Sequence, residues 1–245
     1  MNLRVLKALA KGVLLDCRRR QEFMHVTFFG FLVIFGCASI GTWDASGLEI
    51  GVRDPVVSFV DLCSAIFAVL VSTRLMPEEL RIGTLPLLLA RDSNRLGLLL
   101  GKLIGATIAS WLYFLLLSFL TFLAIASVGI SPELEPLAYL LRKLMGLTLL
   151  CAIGMSLSLY LPQGAAACIG LVAAFGSGMV VRALEISTTE QPWLAWLYRG
   201  LKAAVPGFHL FGSSSVAMLS LLAHTVIYST IAMSLCWLKF RDHPV

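Results

Sequence analysis

Six long apolar runs divide this chain, and they constrain its fold more than any other feature. Each run has roughly the 20 residues that an α-helix needs to cross the hydrocarbon of a bilayer. A helix satisfies its own backbone hydrogen bonds, so runs of this length predict membrane-spanning helices. The expected fold is an all-α membrane protein with one domain over residues 1–245. The predicted spans are 23–43, 56–76, 98–128, 144–161, 165–181 and 216–238.

The charged residues are too few for a soluble protein. They make up 13% of the chain, against about 25% in soluble domains. The net charge of +5 does not indicate a nucleic-acid partner, because the basic residues lie at the ends of apolar runs. Membrane lipid is the expected surrounding. The six cysteines are scattered singly, which predicts small buried side chains and no metal site or redox motif.

The basic residues also predict the orientation. Six spans place both termini on the same side, and most of the 19 lysines and arginines lie in segments on that side. Basic loops stay in the cytoplasm, so we expect cytoplasmic termini in a plasma membrane such as the bacterial inner membrane. Arg142 and Lys143 go against this trend, because they form an outward basic pair at the start of the fourth span.

Two segments outside the spans have amphipathic character. Residues 1–22 alternate apolar and basic side chains at helical spacing, which predicts a helix on the cytoplasmic membrane surface. The alternative for this segment is a basic flank that only sets topology. Residues 182–215 are too polar to cross and predict short interfacial or re-entrant helices on the outer side.

A polar stretch, Pro77 to Lys102, separates the second and third apolar runs. Gly83 permits a tight turn, Thr84 can cap a short helix, and Pro86 is tolerated in the first turn of that helix. Leucines at helical spacing then share one face, which suits docking into a groove on a partner protein. The predicted loop covers 77–97, and its leucines are Leu85, Leu88 and Leu89.

Other residues along the chain suggest specific chemistry. Gly97, Gly101 and Lys102 do not form a phosphate-binding loop, because the glycines are too close and Leu103 replaces the magnesium-binding hydroxyl. Lys102 is better explained as an anchor at the membrane interface. Asp61 lies at membrane depth, which makes it a candidate for the transport pathway.

A catalytic alternative starts from the adjacent carboxylates Glu78 and Glu79. They could belong to an intramembrane protease, which uses a glutamate to activate water. Gly83 stands where that family requires an arginine, and His224 is followed four residues later by Tyr228 instead of an asparagine. These two departures argue against a protease, which is kept only as the alternative to a transport function.

The polar stretch resembles the signature of the ABC type-2 exporter permeases, the membrane subunits of ATP-driven exporters. In that family the signature lies between the second and third of six spans. One departure is Asp92, where the family commonly has a proline three residues before the arginine. The residues that carry the resemblance are Glu79, Gly83, Thr84, Leu85, Leu88, Leu89, Arg95, Gly101 and Lys102.

The resemblance implies that transport and ATP hydrolysis are carried out by separate subunits. Residues 1–22 are similar to the connecting helix of the family, 77–97 to its coupling helix, and 182–215 to its extracellular helices. It implies a complex of two permeases, identical or different, with two separate ATPase subunits that bind ATP and Mg. This chain would bind no cofactor and would not be an enzyme. A permease-like subunit that only anchors or regulates an ATPase remains an alternative.

Overall fold

Six helices have defined bounds in the computed structural model, and strands are absent from the residues that it describes. These residues are 3–20, 48–82, 95–127, 136–190 and 217–241, together with 24, 27, 28, 30–32, 35, 36, 208 and 211. The helices are α1 (Leu3–Arg19), α2 (Leu48–Ile82), α3 (Arg95–Ser127), α4 (Pro136–Tyr160), α5 (Gln163–Glu190) and α6 (Met218–Arg241).

Four stretches are long and apolar enough to cross a membrane. They are Val56–Glu79, Leu96–Ala124, Leu137–Tyr160 and Met218–Arg241, which correspond to the second, third, fourth and sixth predicted spans. The first predicted span lies largely outside the described residues, although those described between 24 and 36 are helical. In α5 the apolar part with described side chains is the shorter Gln163–Ser177. Six spans therefore remain a prediction.

α2 extends beyond its predicted span at both ends. Its 35 residues have a length of about 50 Å, compared with about 30 Å of hydrocarbon in a bilayer. Pro77, Glu78 and Glu79, predicted to start a loop, are in the last turns of this helix. The described chain resumes at Arg95, where α3 begins. The part of the predicted loop outside both helices is therefore 83–94.

α4 and α5 also begin or end at unexpected positions. α4 starts at Pro136, where the missing N–H of proline removes no helical hydrogen bond. This places Lys143 two turns inside the helix. α5 follows after Leu161 and Pro162, which form the turn between the two helices. It continues to Glu190, so the outer segment predicted to begin at 182 is helical and continuous with α5 up to that residue.

The centre of the bundle is α2, which packs against α3, α4 and α5. In its apolar window 61% of the residues are buried, compared with 22% in α6, so α2 is enclosed by protein while α6 lies at the periphery. Small residues permit the close packing. Gly154 of α4 faces Ser72 of α2 so closely that an added Cβ would overlap the serine hydroxyl.

α1 packs directly on α3. It buries Ala10, Val13 and Cys17 at helical spacing, and leaves basic residues such as Lys7 and Lys11 exposed. Glycines on α3 accept this face, because an added Cβ on Gly105 would lie 2.8 Å from Val13 Cβ. Residues 3–19 of the segment predicted to be an amphipathic helix are helical, and their apolar face is covered by protein; a position on the membrane surface stays a prediction.

Candidate functional site

An ion pair joins the C-terminal end of α2 to the first turns of α3. The Lys102 ammonium contacts the Glu79 carboxylate and lies 3.5 Å from the carbonyl oxygen of Leu75. The Lys102 side chain is only 5% exposed. Because a buried ammonium is very unfavourable without a counter-charge, this contact holds the two helix ends together.

Glu78, the neighbour of Glu79, binds the end of α1. Arg20 Nη1 donates to Glu78 Oε1 at 2.9 Å, and Arg20 Nη2 donates to Oε2 at 2.5 Å. This two-pronged geometry fixes both position and orientation. Partial burial lowers the pKa of the Arg20 guanidinium, but hydrogen bonds to Glu78 and Asp16 outweigh it and leave the pKa above its ordinary value. Arg20 is therefore a permanent cation here.

Two more side chains complete the network. Arg20 also donates to Asp16 one turn earlier, with Nη2 3.1 Å from Oδ2. Arg74 Nε lies 3.9 Å from Glu78 Oε1. We call this network the ion-pair junction; its members are Asp16, Arg20, Arg74, Glu78, Glu79 and Lys102. It ties together the ends of α1, α2 and α3.

The structure brings together only some of the residues predicted for coupling. Glu79 and Lys102 are in direct contact, and Lys102 is buried within protein, not extended along the membrane interface. Arg95 begins α3, but its side chain lies outside the described set. Gly83, Thr84, Leu85, Leu88 and Leu89 lie outside the described residues, and so their role stays a prediction.

Asp61 is also ion-paired. Lys143 Nζ lies 2.5 Å from Asp61 Oδ2, and the Tyr139 hydroxyl donates to Asp61 Oδ1 at 2.7 Å. The Lys143 ammonium also lies 5.5 Å from the centre of the Tyr139 ring. Lys143, whose predicted outer position went against the charge trend, is therefore the counter-charge of Asp61, and the two residues link α2 to α4.

Five participants in these contacts were not predicted from the sequence: Asp16, Arg20, Arg74, Tyr139 and Lys143. A signal was available for Lys143, since Asp61 and Lys143 are opposite charges a few residues inside the same end of two spans. For Arg20 the signal was weaker, because three consecutive arginines gave no reason to select one of them.

The protease alternative finds little support in this geometry. Both carboxylates that it requires are engaged in ion pairs with basic side chains. His224, the histidine whose side chain is described, contacts the rings of Phe211 and Tyr228. Within the described ranges there is no cluster of three or more potential metal ligands.

The comparison with protein families identifies the class of protein. A family model described as "ABC-2 family transporter protein" matches residues 18–162, more than half of the chain. The match includes most of the ion-pair junction and the Asp61–Lys143 pair. Comparison with curated proteins gives no match. Apolar helices long enough to cross a bilayer agree with the family match, and the chain belongs to the ABC-2 family of transporter proteins as an integral membrane permease.

Proposed function

We propose that this permease is the membrane subunit of an ATP-driven exporter, and that residues 83–94 receive the movement of a separate ATPase. ATP and Mg would be bound by the ATPase, since this chain has no phosphate-binding loop of its own. The working complex would contain two ATPase subunits and a second permease, either identical or different. The termini and residues 83–94 would be cytoplasmic, in a plasma membrane such as the bacterial inner membrane.

The ion-pair junction is the observation that carries this proposal. Residues 83–94 leave α2 four residues after Glu79 and enter α3 seven residues before Lys102. The Glu79–Lys102 pair therefore joins the two helix ends that this segment connects. A force applied to the segment would reach both helices at once, because their ends are fixed to each other.

The junction also gives the movement a route into the bundle. α2 is the central helix, and α1 is attached to its end through Arg20 and Glu78. A displacement of the α2 end would therefore be transmitted to α1, to α3 and to the α4 face that α2 packs against. Packed helices and ion-pair networks transmit such shifts because they change as units.

The position of basic residues supports the cytoplasmic orientation. The end of the bundle that carries the junction also includes the exposed Lys7, Lys11, Arg19 and Arg81. Basic residues of short loops are retained in the cytoplasm, where an ATPase would be located.

Copurification tests the partner. A tagged permease expressed with an ATPase encoded by an adjacent gene is expected to retain the ATPase. The double variant Leu88→Asp, Leu89→Asp is expected to lose it while still inserting into the membrane. Leu15→Asp, at an exposed position of α1 outside the spanning stretches, is the control. Retention of the ATPase by the Leu88, Leu89 variant at the wild-type level would exclude docking through this segment.

Flux then separates transport from anchoring. Vesicles that contain the assembled complex are expected to move cargo only when ATP is hydrolysed. Candidate cargoes are the substrates and products of enzymes encoded by neighbouring genes. A complex that assembles and hydrolyses ATP but moves none of them would favour the anchor alternative.

A further inference from the structure

A cleft of about 90 Å³ lies beside the Asp61–Lys143 pair, and the transport proposal gives it no role. Its polar groups are close together, because Asp61 and Ser64 are one turn apart on α2 and Lys143 is bound to Asp61. The rest of its lining is apolar and includes four phenylalanines. We call it the aromatic cleft; the phenylalanines are Phe114, Phe175, Phe208 and Phe211.

The charges at the polar end compensate each other. Asp61 and Lys143 form a pair, and both side chains are about one-fifth exposed, at 22% and 21%. A ligand with a net charge would add an uncompensated charge to a region of low polarity, which is strongly unfavourable. An uncharged polar group would meet no such penalty.

Lys143 retains the capacity to donate hydrogen bonds. Its ammonium has three N–H groups, and the one hydrogen-bond partner described for it is Asp61. The Ser64 hydroxyl already donates to the Val60 carbonyl at 2.6 Å, so it can only accept from a ligand. The polar end therefore offers donors from Lys143 to an acceptor group of a ligand.

The depth of the cleft supports the same chemistry. Asp61 is the sixth residue of the span Val56–Glu79, and Lys143 is the seventh of Leu137–Tyr160. At 1.5 Å per residue, both lie about 9 Å from the end of their span. A molecule that reaches this depth from the bilayer has an apolar body.

We propose that the aromatic cleft binds a neutral amphiphile, with an apolar body against the phenylalanines and an uncharged hydrogen-bond acceptor, such as a hydroxyl or ester carbonyl, on Lys143. An apolar body of the size of one ring or a short alkyl chain fits the volume. This concerns binding alone, and the labelling and competition tests require neither the ATPase nor transport.

Photolabelling of the purified permease in phosphatidylcholine nanodiscs tests the site. The probe is octanol with a diazirine in its alkyl chain, and the labelled residues are located by mass spectrometry. We expect saturable labelling of residues that line the aromatic cleft, and unlabelled octanol should suppress it. Labelling spread over the lipid-facing side chains, with no suppression by octanol, would overturn the proposal.

A variant that fills the aromatic cleft provides a second test of binding. Ala174 lines the cleft, and Ala174→Leu should lower cleft labelling by about tenfold, because its side chain occupies the space of several buried CH₂ groups. Ala165→Leu, on an exposed position of the same helix, is the matched control and should label like wild type. Equal labelling of both variants would contradict the site.

Competition in the wild-type protein tests the head group without any variant. Octanol should compete at lower concentration than octanoate or octylammonium, which have the same chain and a charge. Stronger competition by either ion would overturn the neutral-ligand assignment.

The same chemistry has two sources, a bilayer lipid and a transported compound. Octanol that changes ATP hydrolysis by the assembled wild-type complex, but not by the Ala174→Leu complex, would identify a transported compound. Saturable binding without that change would identify a resident lipid.

Discussion

At the scale of single residues, buried charges are where this protein is most sensitive to change. Lys102 is enclosed by α2 and α3, and Glu79 supplies its counter-charge. The second oxygen of Glu79, Oε2, is buried and has no hydrogen-bond partner among the residues described. The carboxylate is thus held chiefly by one lysine, and neither partner can be removed without leaving the other charge uncompensated.

Removing one partner of the Glu79–Lys102 pair should therefore destabilise the permease more than removing both. We expect Glu79→Gln to lower the free energy of unfolding by about 3 kcal/mol, the usual cost of an uncompensated buried charge. The double variant Glu79→Gln with Lys102→Met should recover a substantial part of this loss. Thermal unfolding of the purified permease measures both, and Arg81→Gln, an exposed change at the same helix end, should be near wild type. A double variant less stable than Glu79→Gln alone would contradict the pairing.

Sequence could identify the buried charges but not their partners. Glu78 and Asp61 stand out because carboxylates in or beside apolar runs are unfavourable. Their partners are distant in the chain, since Lys143 is 82 residues from Asp61, and Arg20 is 58 residues from Glu78. Only the packing of α1 on α3, which is next to α2, and of α2 against α4 brings them together.

At the scale of helices, glycines set the distance between neighbouring elements. Gly101 and Gly105 are one turn apart on α3, and an added Cβ at either position would lie within about 3 Å of α1. At Gly105 the obstacle includes backbone, because Ala10 Cα is 3.1 Å away. α1 can therefore lie on α3 only where α3 has no side chain.

Substitution of Gly105 should separate α1 from the bundle. Gly105→Val is expected to expose the Ala10–Cys17 face and to make α1 sensitive to limited proteolysis at Lys7 and Lys11. Gly12→Ala, on the open face of α1, is the control and should stabilise the helix by about 0.5–1 kcal/mol. Equal rates of cleavage in Gly105→Val and wild type would show that α1 does not depend on this contact.

The contact of α2 with α4 can be tested in the same way by a pair of substitutions. Gly154→Ala should destabilise the permease by about 1–3 kcal/mol, because its methyl group would overlap the Ser72 hydroxyl. Ser72→Ala in the same chain should restore part of this loss, since only a long hydrogen bond of 3.2 Å to Val69 is removed. Additive effects of the two substitutions, measured by thermal unfolding, would exclude direct contact.

Helix boundaries were harder to predict than helix identity. The apolar runs located four spans, because hydrophobicity over about 20 residues is a strong signal. The α2 end was misplaced because Pro77, Glu78 and Glu79 are typical of a loop, whereas in the structure the carboxylates are neutralised by Arg20 and Lys102 and the helix continues. The boundary depends on contacts with Arg20 and Lys102, and the local sequence could not predict these contacts.

At the scale of the whole molecule, two ion-paired regions lie near opposite ends of the apolar span of α2, Val56–Glu79. The ion-pair junction fixes α1, α2 and α3 near residues 83–94, and the Asp61–Lys143 pair fixes α2 to α4 near the aromatic cleft. The central helix thus connects the proposed site of ATPase docking with the proposed site of ligand binding. Such a connection is what a subunit driven from one side of a membrane requires.

The central claim, that the ion-pair junction transmits between the permease and its ATPase, is tested most directly by ATP hydrolysis in the assembled complex. The rate is compared with that of the ATPase alone, which requires no knowledge of the cargo. We predict that the wild-type permease changes this rate and that Arg81→Gln changes it equally. The Glu79→Gln permease should still bind the ATPase, but the complex should hydrolyse ATP at the rate of the ATPase alone. A Glu79→Gln complex that hydrolyses ATP at the wild-type complex rate would contradict the account.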